Sequence, residues 1–527
     1  MLAGFLVAGA TLFFVRVPIS SEVLRRRVVS TLSESLESEV ELASLELRLT
    51  PRLSVVGGGL IIRHKRHRDV PLITVQTFTV ASGLSALLRK HVTYVSLEGL
   101  AIQIPPGDPD AGGEAQGSRL AGVPRPGKDT SVRQVVIDQL VADNSTLTIV
   151  PREADKRPKV WRMHKLRLFS VGMDQAMPFE SVLTNAIPPG EIATNGSFGP
   201  WNVDDPGRTP IDGEFTFDHA DLSVFKGIAG LLSARGDYRG TLERLDVNGR
   251  TATPDFTVLV GGHPIPLDTT YHAIVDATNG NTTLDPVNAS FYQTSLVAKG
   301  GVYDDKDADG RRVTLDVTIE KGRLEDVLQL AVDAPKPVMT GALALTTHLE
   351  LPPGDRDVVE KLQLRGNFSI RGGRFSNATV QNRINTLSGR AQGKGEEPTH
   401  VTSDFTGNFT LGNGQLALTP LQFDVPGALV QVTGRYGLRR GTLAFAGQVI
   451  MDAKISEAVG GWKAILLKPF DPLFRRNGRT FIPITISGTR ADPKFGLDRS
   501  RVFNKDAPPV PPPLPPARSS QQKSSAR

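Results

Sequence analysis

The feature that most constrains the fold of this chain is a five-residue phrase that recurs over several hundred residues. The phrase is glycine, any residue, an aromatic or aliphatic residue, any residue and another apolar residue. It occurs at residues 213–217, 366–370 and 407–411, with looser copies at 341–345 and 434–438. Positions two apart on a β-strand share a face, so each copy predicts a strand with two apolar side chains side by side. We interpret the glycine as the residue that permits the turn before that strand.

The composition agrees with a β-rich protein. The 527 residues include 52 glycines and 38 prolines, more than a helix-rich protein would tolerate. A plain β-sandwich would show the same local phrase, but repetition on this scale favours an elongated architecture. We therefore predict a mainly β fold, an elongated and curled antiparallel sheet with an open groove and short helices. Four helices are predicted in the body, at about residues 223–233, 324–332, 379–387 and 455–467.

The first nineteen residues are almost wholly apolar and carry no charged side chain before Arg16. A helix of this length spans about 28 Å, close to the thickness of a bilayer core. A cleaved signal peptide would have a basic segment before the apolar run and small residues after it. Both are missing, which favours a retained N-terminal transmembrane helix at residues 1–19.

Residues 20–38 are predicted to form an amphipathic helix. Its apolar face has residues spaced four apart, Leu24, Val28, Leu32 and Leu36. We expect this face to dock on the first strands. Three arginines lie between the apolar positions, and just past a membrane they are candidates for contact with acidic lipid headgroups: Arg25, Arg26 and Arg27. The two roles are compatible.

The pattern along the chain predicts five segments. Four early strands are expected at residues 45–50, 53–62, 72–80 and 92–104, with one helical turn at 83–88. The segments are a transmembrane anchor (1–19), an N-terminal helix and β unit (20–104), a Pro/Gly/Asp-rich linker (105–130), a β-rich groove body (131–498) and a Pro-rich disordered tail (499–527).

Two long stretches near the start carry a family resemblance, "LELRLTPRLSVVGGGLIIR" and "VPLITVQTFTVASGLSALLRKHVTYVSLEGLAIQIPP". Later phrases extend it, including "GTLERLDVNGRTATPDF", "GRLEDVLQLAV", "FTGNFTLGNGQLALTPLQFDVPGALVQVTGRY" and "IPITISGTRADPKFGLD". Together they cover nearly the whole chain and resemble the AsmA family. The resemblance implies a bacterial inner-membrane protein, single-pass, with the bulk of the chain in the periplasm. It also implies an apolar β groove that takes part in moving phospholipid towards the outer membrane.

Residues that could carry catalysis or bind a metal are scattered. The chain has no cysteine, and His64 and His67 lie in a basic loop where a metal cation would be repelled. The acidic cluster at residues 304–309 lacks the spacing of a calcium-binding loop. The net charge of +6 is small for this length and is not concentrated in one region. We expect no enzyme activity, no metal or other cofactor and no nucleic-acid partner.

The apolar positions of the phrase are the candidate lipid contacts. They are Phe215, Phe217, Leu343, Leu345, Phe368, Ile370, Phe409 and Leu411. An exposed apolar sheet face is an aggregation hazard unless something fills it, and acyl chains would do so. The same residues could instead face a closed core. The leading hypothesis is a protein of envelope biogenesis that binds phospholipid and passes it to an outer-membrane or periplasmic partner. The alternative is an assembly factor or chaperone for outer-membrane proteins that binds strands at exposed sheet edges.

Overall fold

The computed structural model describes residues 21–36, 38–48, 54–63, 71–82, 91–104, 136–149, 159–172, 175–200, 206–305, 310–392, 401–454, 456, 474–476, 478–503 and 511. The described chain is mainly β, with 26 strands in one large mixed sheet and a few short helices. Its residues divide into two compact units. Unit 1 comprises residues 1–221, 232–251 and 272–282, and unit 2 comprises residues 222–231, 252–271 and 283–527.

The first thirteen strands are β1 (Val40–Arg48), β2 (Ser54–Arg63), β3 (Pro71–Ala81), β4 (His91–Glu98), β5 (Ala101–Ile104), β6 (Val136–Ile149), β7 (Lys159–Val171), β8 (Met177–Ala186), β9 (Pro189–Phe198), β10 (Pro210–Asp221), β11 (Ile228–Ala229), β12 (Leu231–Thr241) and β13 (Arg244–Val258). The remaining strands are β14 (Pro264–Val275), β15 (Thr282–Phe291), β16 (Thr294–Asp304), β17 (Arg311–Arg323), β18 (Met339–Leu351), β19 (Gln363–Phe375), β20 (Ser403–Gly412), β21 (Gln415–Val425), β22 (Ala428–Gly437), β23 (Thr442–Met451), β24 (Arg475–Arg476), β25 (Arg479–Thr489) and β26 (Pro493–Leu497).

The described helices are few and short. The α-helices are α1 (Ser21–Leu36), α2 (Leu324–Ala331), α3 (Val358–Lys361), α4 (Ala378–Ala391) and α5 (Arg499–Phe503), and two 3₁₀ turns span Pro206–Arg208 and Leu222–Val224. Within the described residues, no helix is long and apolar enough to cross a membrane. The predicted anchor at residues 1–19 lies outside the described residues.

Unit 1 is built on a core that helix α1 covers. Leu24, Val28 and Leu32 are buried in one hydrophobic cluster with strand residues such as Leu60 and Phe78. The predicted docking of the apolar helix face on the first strands is therefore confirmed. Strands β1, β2 and β3 pair antiparallel in succession, and each strand from β6 to β10 pairs antiparallel with the next.

The predicted strand at residues 92–104 is divided into β4 and β5. Gly99, between them, has a φ of +63°, a left-handed conformation that interrupts the strand. Both short strands lie parallel to β6, which makes the sheet mixed and not purely antiparallel. A parallel pair requires a long crossover connection, and residues 105–135 supply it.

That crossover changes the predicted segment boundaries. The expected linker at residues 105–130 lies outside the described residues, but the strands on either side of it share one core. Leu97 before it and Leu140 after it belong to the same buried cluster. Residues 20–104 are therefore not a unit separate from the chain that follows; their core extends through β6 and β7.

Unit 2 contains a meander of strands. From β16 to β23 each described strand pairs antiparallel with the next, and β23, β25 and β26 continue the series. Helix α2 follows β17 and packs Leu324, Val327 and Leu328 on a cluster that includes Leu343 and Ile370. Helix α4 follows β19 and packs on a second cluster formed by strands β21 to β25.

The helix predictions in the body have mixed outcomes. Helix α2 matches the prediction at 324–332, and helix α4 contains the predicted 379–387. The helix predicted at 223–233 is wrong, because this stretch forms a 3₁₀ turn followed by β11 and the start of β12. Gly227 and Gly230 have φ of +100° and +133°, which are incompatible with an α-helix. The helix predicted at 455–467 and the helical turn at 83–88 fall almost entirely outside the described residues.

The folded body continues past residue 498, where the tail was predicted to begin. Helix α5 buries Arg501 and Val502. The Arg501 guanidinium donates a hydrogen bond of 3.0 Å from Nη1 to the carbonyl oxygen of Gly447 on β23. The disordered part of the predicted tail therefore cannot start before residue 504; beyond that point only Pro511 is described.

Candidate apolar binding face

The glycine of the recurring phrase lies inside a strand and not in the turn before it. Gly213 is in β10, Gly366 is in β19 and Gly407 is in β20. The interpretation of this glycine as a turn residue was therefore wrong. The role of the glycine depends on the side chains that stand opposite it on the neighbouring strand.

In unit 2, two copies of the phrase face each other in reciprocal register. Gly366 of β19 stands opposite Phe409 of β20, and Phe368 stands opposite Gly407. The two ring centroids are 6.2 Å apart. A Cβ atom placed on Gly407 would lie 3.1 Å from Cε1 of Phe368. The glycine thus leaves the space that the opposite phenyl ring occupies.

Unit 1 repeats this arrangement between β10 and β12. A Cβ atom on Gly213 would clash with the Asn195 carbonyl oxygen and lie 2.8 Å from the Tyr238 hydroxyl oxygen. One on Gly236 would clash with the Asn248 carbonyl oxygen and lie 2.9 Å from Cε1 of Phe215, so the adjacent backbone and the ring both leave no room for a side chain. The Phe215 and Tyr238 ring centroids are 6.4 Å apart. Residues 236–238 are thus a further copy of the phrase. This copy does not match the full phrase because Gly240 stands where the second apolar residue was required.

The apolar face of β10 is only half covered. From residue 210 to residue 218 the strand alternates between exposed and half-buried positions, and none of these residues is buried. Ile211, Phe215 and Phe217 lie on the half-buried side, while Thr216 is on the exposed side. A strand that packs on a closed core would bury one of its two faces. The described residues do not provide that cover here.

The Tyr238 hydroxyl group beside this face is hydrogen-bonded within the protein. The Tyr238 hydroxyl lies 2.7 Å from Thr194 Oγ1, and Thr194 donates to the carbonyl oxygen of Glu214 at 2.8 Å. Burial is the main reason why the pKa of Tyr238 is raised above its ordinary value. The face therefore presents aromatic carbon and backbone with a neutral phenol, which suits an apolar ligand.

The other six candidate residues lie together on β18, β19 and β20. Leu343 stands opposite Ile370, and Leu345 stands opposite Phe368. Four of the six are buried, with exposed fractions of 4% for Leu343, 5% for Ile370, 7% for Phe409 and 8% for Leu411. Leu345 and Phe368 are half-buried. A ligand could reach the four buried residues only by displacing their neighbours, so Phe215, Phe217, Leu345 and Phe368 are the more accessible candidates.

The arginines proposed for the membrane surface have different surroundings. Arg25 Nη1 donates to the carbonyl oxygen of Leu42 at 2.8 Å, and its Nη2 forms an ion pair of 2.7 Å with Glu22. Arg26 contacts Glu22 at 3.2 Å with a largely exposed side chain, and Arg27 is exposed. Hydrogen bonding to Arg25, and then to Arg26, lowers the pKa of Glu22 to about 2. Arg25 thus holds α1 to β1, while the side chains of Arg26 and Arg27 are exposed.

The described part of the chain contains no group of three or more histidine, aspartate or glutamate side chains placed to hold a metal ion. In the acidic stretch at 304–309, Asp305 is buried and forms an ion pair of 2.7 Å with Arg312, which also pairs with Glu350. His64 and His67 lie outside the described residues.

No protein-family model, curated protein or solved structure matches this chain. Fold and face together define a class: a mainly β protein whose large sheet carries an apolar, aromatic-lined and partly uncovered face.

Proposed function

We propose that this protein binds the acyl chains of phospholipid along its apolar sheet face and conveys lipid through the bacterial periplasm towards the outer membrane. It does so from the inner membrane, held there by residues 1–19, as an elongated open groove of the AsmA type. The proposal rests on one observation above all, the half-covered aromatic face of β10.

The energetics favour such a ligand. Each methylene group removed from water contributes about 0.8 kcal/mol, so a chain of ordinary length is held well by a long shallow face. The described face provides few polar groups that would fix a ligand at one place. The phenyl rings of Phe215 and Phe217 stand two residues apart on β10, and the Tyr238 ring lies beside that of Phe215. An acyl chain can therefore move between similar contacts, because it does not have to escape from one deep binding site.

Site-specific photo-crosslinking tests the proposal. A benzophenone amino acid is introduced at Phe217 in the full-length protein, and the same probe at Thr216 serves as the control. The two positions are adjacent on β10 but lie on opposite faces. After irradiation in native membranes, mass spectrometry should show phospholipid adducts at 217 at least about tenfold above those at 216.

Two outcomes would contradict lipid conveyance. Equal lipid labelling at the two positions would mean that β10 merely lies near a bilayer. Polypeptide adducts at 217 in place of lipid would favour the assembly factor for outer-membrane proteins.

A further inference from the structure

The C-terminal edge of the sheet is bare among the described strands. Strand β26 pairs with β25 along residues 493–497, and no other described strand pairs with it. Phe495 and Leu497 have exposed fractions of 52% and 46%. They stand opposite Ile486 and Ile484, so they extend the apolar face of unit 2 to the end of the sheet.

The backbone hydrogen bonds at the two ends of β26 show which of its residues bond to β25. Thr489 and Asp492 exchange backbone hydrogen bonds at the hairpin, and the Asp498 N–H donates to the carbonyl oxygen of Pro483 at 3.0 Å. In an antiparallel ladder the bonded positions alternate, so Lys494 and Gly496 bond to β25. The N–H and C=O groups of Phe495 and Leu497 consequently point away from β25, towards the bare edge.

The opposite edge, at β1, is protected. Helix α1 packs beside β1, and Arg25 donates to the Leu42 carbonyl oxygen of this strand. Charged side chains and covering helices are the usual protection of an edge against strand addition. Strand β26 has Lys494, and the Arg383 guanidinium of α4 lies 5.2 Å from the centroid of its Phe495 ring, which stays 52% exposed. No described strand pairs with its outward backbone groups, which makes its edge a place for strand addition.

We propose that β26 pairs antiparallel with β26 of a second copy of this chain, around a twofold axis at Gly496. This register joins Phe495 to Leu497 of the second copy by two backbone hydrogen bonds, and symmetry gives two more. It also places the two exposed apolar side chains in contact on the same face.

Charge complementarity favours a second copy over a different partner. In the same register Lys494 stands opposite Asp498 of the second copy, and symmetry repeats this pair on the other side of the axis. The self-complementary order of Lys, apolar, Gly, apolar and Asp at residues 494–498 matches the requirement of an isologous interface. Cross-strand pairs of opposite charge stabilise a ladder, whereas like charges destabilise it.

Disulfide trapping tests this pairing, since the chain has no native cysteine. Gly496→Cys places the new thiol at a non-hydrogen-bonded pair on the axis, where the Cα atoms of such strands are about 4.5 Å apart. A Cβ atom here would meet only the Thr485 hydroxyl oxygen, at 2.9 Å, which can rotate away. Lys494→Cys is the control, because its counterpart would be four residues away along the ladder, about 13 Å.

Mild oxidation of the full-length protein in membranes should give a covalent dimer with Gly496→Cys, at least about tenfold more than with Lys494→Cys. Adding Phe495→Pro removes an outward N–H without removing a β25–β26 bond and should suppress the dimer. Lys494→Asp should suppress it too, by placing like charges opposite each other, while the melting temperature stays within a degree or two.

Absence of the Gly496→Cys dimer, equal cross-linking at both positions, or a dimer unaffected by Lys494→Asp would overturn the proposal. Equal cross-linking, or a dimer unaffected by Lys494→Asp, would indicate random collision. Absence of the dimer would mean that a tail segment or another protein pairs with this edge.

Discussion

At the scale of single residues, the recurring phrase is a packing device. Glycine on one strand and an aromatic ring on the next occupy the same space, as Gly407 and Phe368 do. Glycine within a strand is unfavourable by itself, since it loses more conformational freedom on folding than other residues. A ring that covers the exposed backbone offsets this cost and fixes the register of the two strands. The pairs Gly407–Phe368 and Gly236–Phe215 thus fit neighbouring strands to each other.

The Gly407→Ala substitution tests this device. The added methyl group would lie 3.0 Å from the Pro420 carbonyl oxygen and 3.1 Å from the Phe368 ring, so the ring must move. We expect a loss of about 1–3 kcal/mol in the free energy of unfolding, typical of overpacking. Gly412→Ala on the same strand is the matched control, because a Cβ atom there has no described atom within 4 Å. Equal stability of the two variants in denaturant titrations would show that the pair is not tightly packed.

At the scale of secondary-structure elements, the sequence predicted what local pattern determines. The strands expected at 53–62 and 72–80 correspond to β2 and β3 within two residues at each end, and α2 begins where it was predicted. The failures had non-local causes. The mixed character of the sheet depends on β6, a parallel partner of β4 and β5 that follows after thirty-one further residues. The helix predicted at 223–233 was overridden by pairing of Ile228 with Val258.

The candidate site was predicted in part for the same reason. Spacing two residues apart identified Phe215, Phe217 and Phe368 as side chains on an apolar face. It could not separate these half-buried residues from the buried Phe409 and Leu411, because burial depends on which strands and helices lie opposite. Tyr238 was missed because Gly240 breaks its copy of the phrase, and because its contact with Phe215 joins residues more than twenty positions apart along the chain.

Helix α1 provides a prediction at this scale. Leu32 is 1% exposed within the core of unit 1, so Leu32→Ala should cost about 2–5 kcal/mol in the free energy of unfolding. Val23 lies on the same helix with 51% exposure, and Val23→Ala should change stability by less than about 0.5 kcal/mol. Thermal unfolding monitored by circular dichroism would distinguish them. Similar losses for both variants would show that α1 does not depend on its buried face.

At the scale of the whole molecule, the proposed function requires a connection to a bilayer. We expect that deleting residues 1–19, the proposed anchor, moves the protein from the membrane fraction to the soluble fraction, since no helix in the described part of the chain is suited to span a membrane. The double variant Arg26→Ala/Arg27→Ala in the full-length chain should remain with membranes after an alkaline wash, because the proposed transmembrane helix would hold the protein more strongly than surface charge does. Retention of the truncated protein on washed membranes would show that another part of the chain anchors it.

The meander of unit 2 has an evolutionary consequence. Since each strand from β16 to β23 bonds to its neighbours in sequence, a duplicated hairpin could be accommodated between two existing strands while the ladder on either side keeps its register. Every duplicated hairpin would carry both the glycine and the aromatic ring, so it would pack on the neighbouring hairpin in the same way. Proteins built in this way can grow or shrink by whole hairpins, so the length of such a sheet can change without redesign of its core.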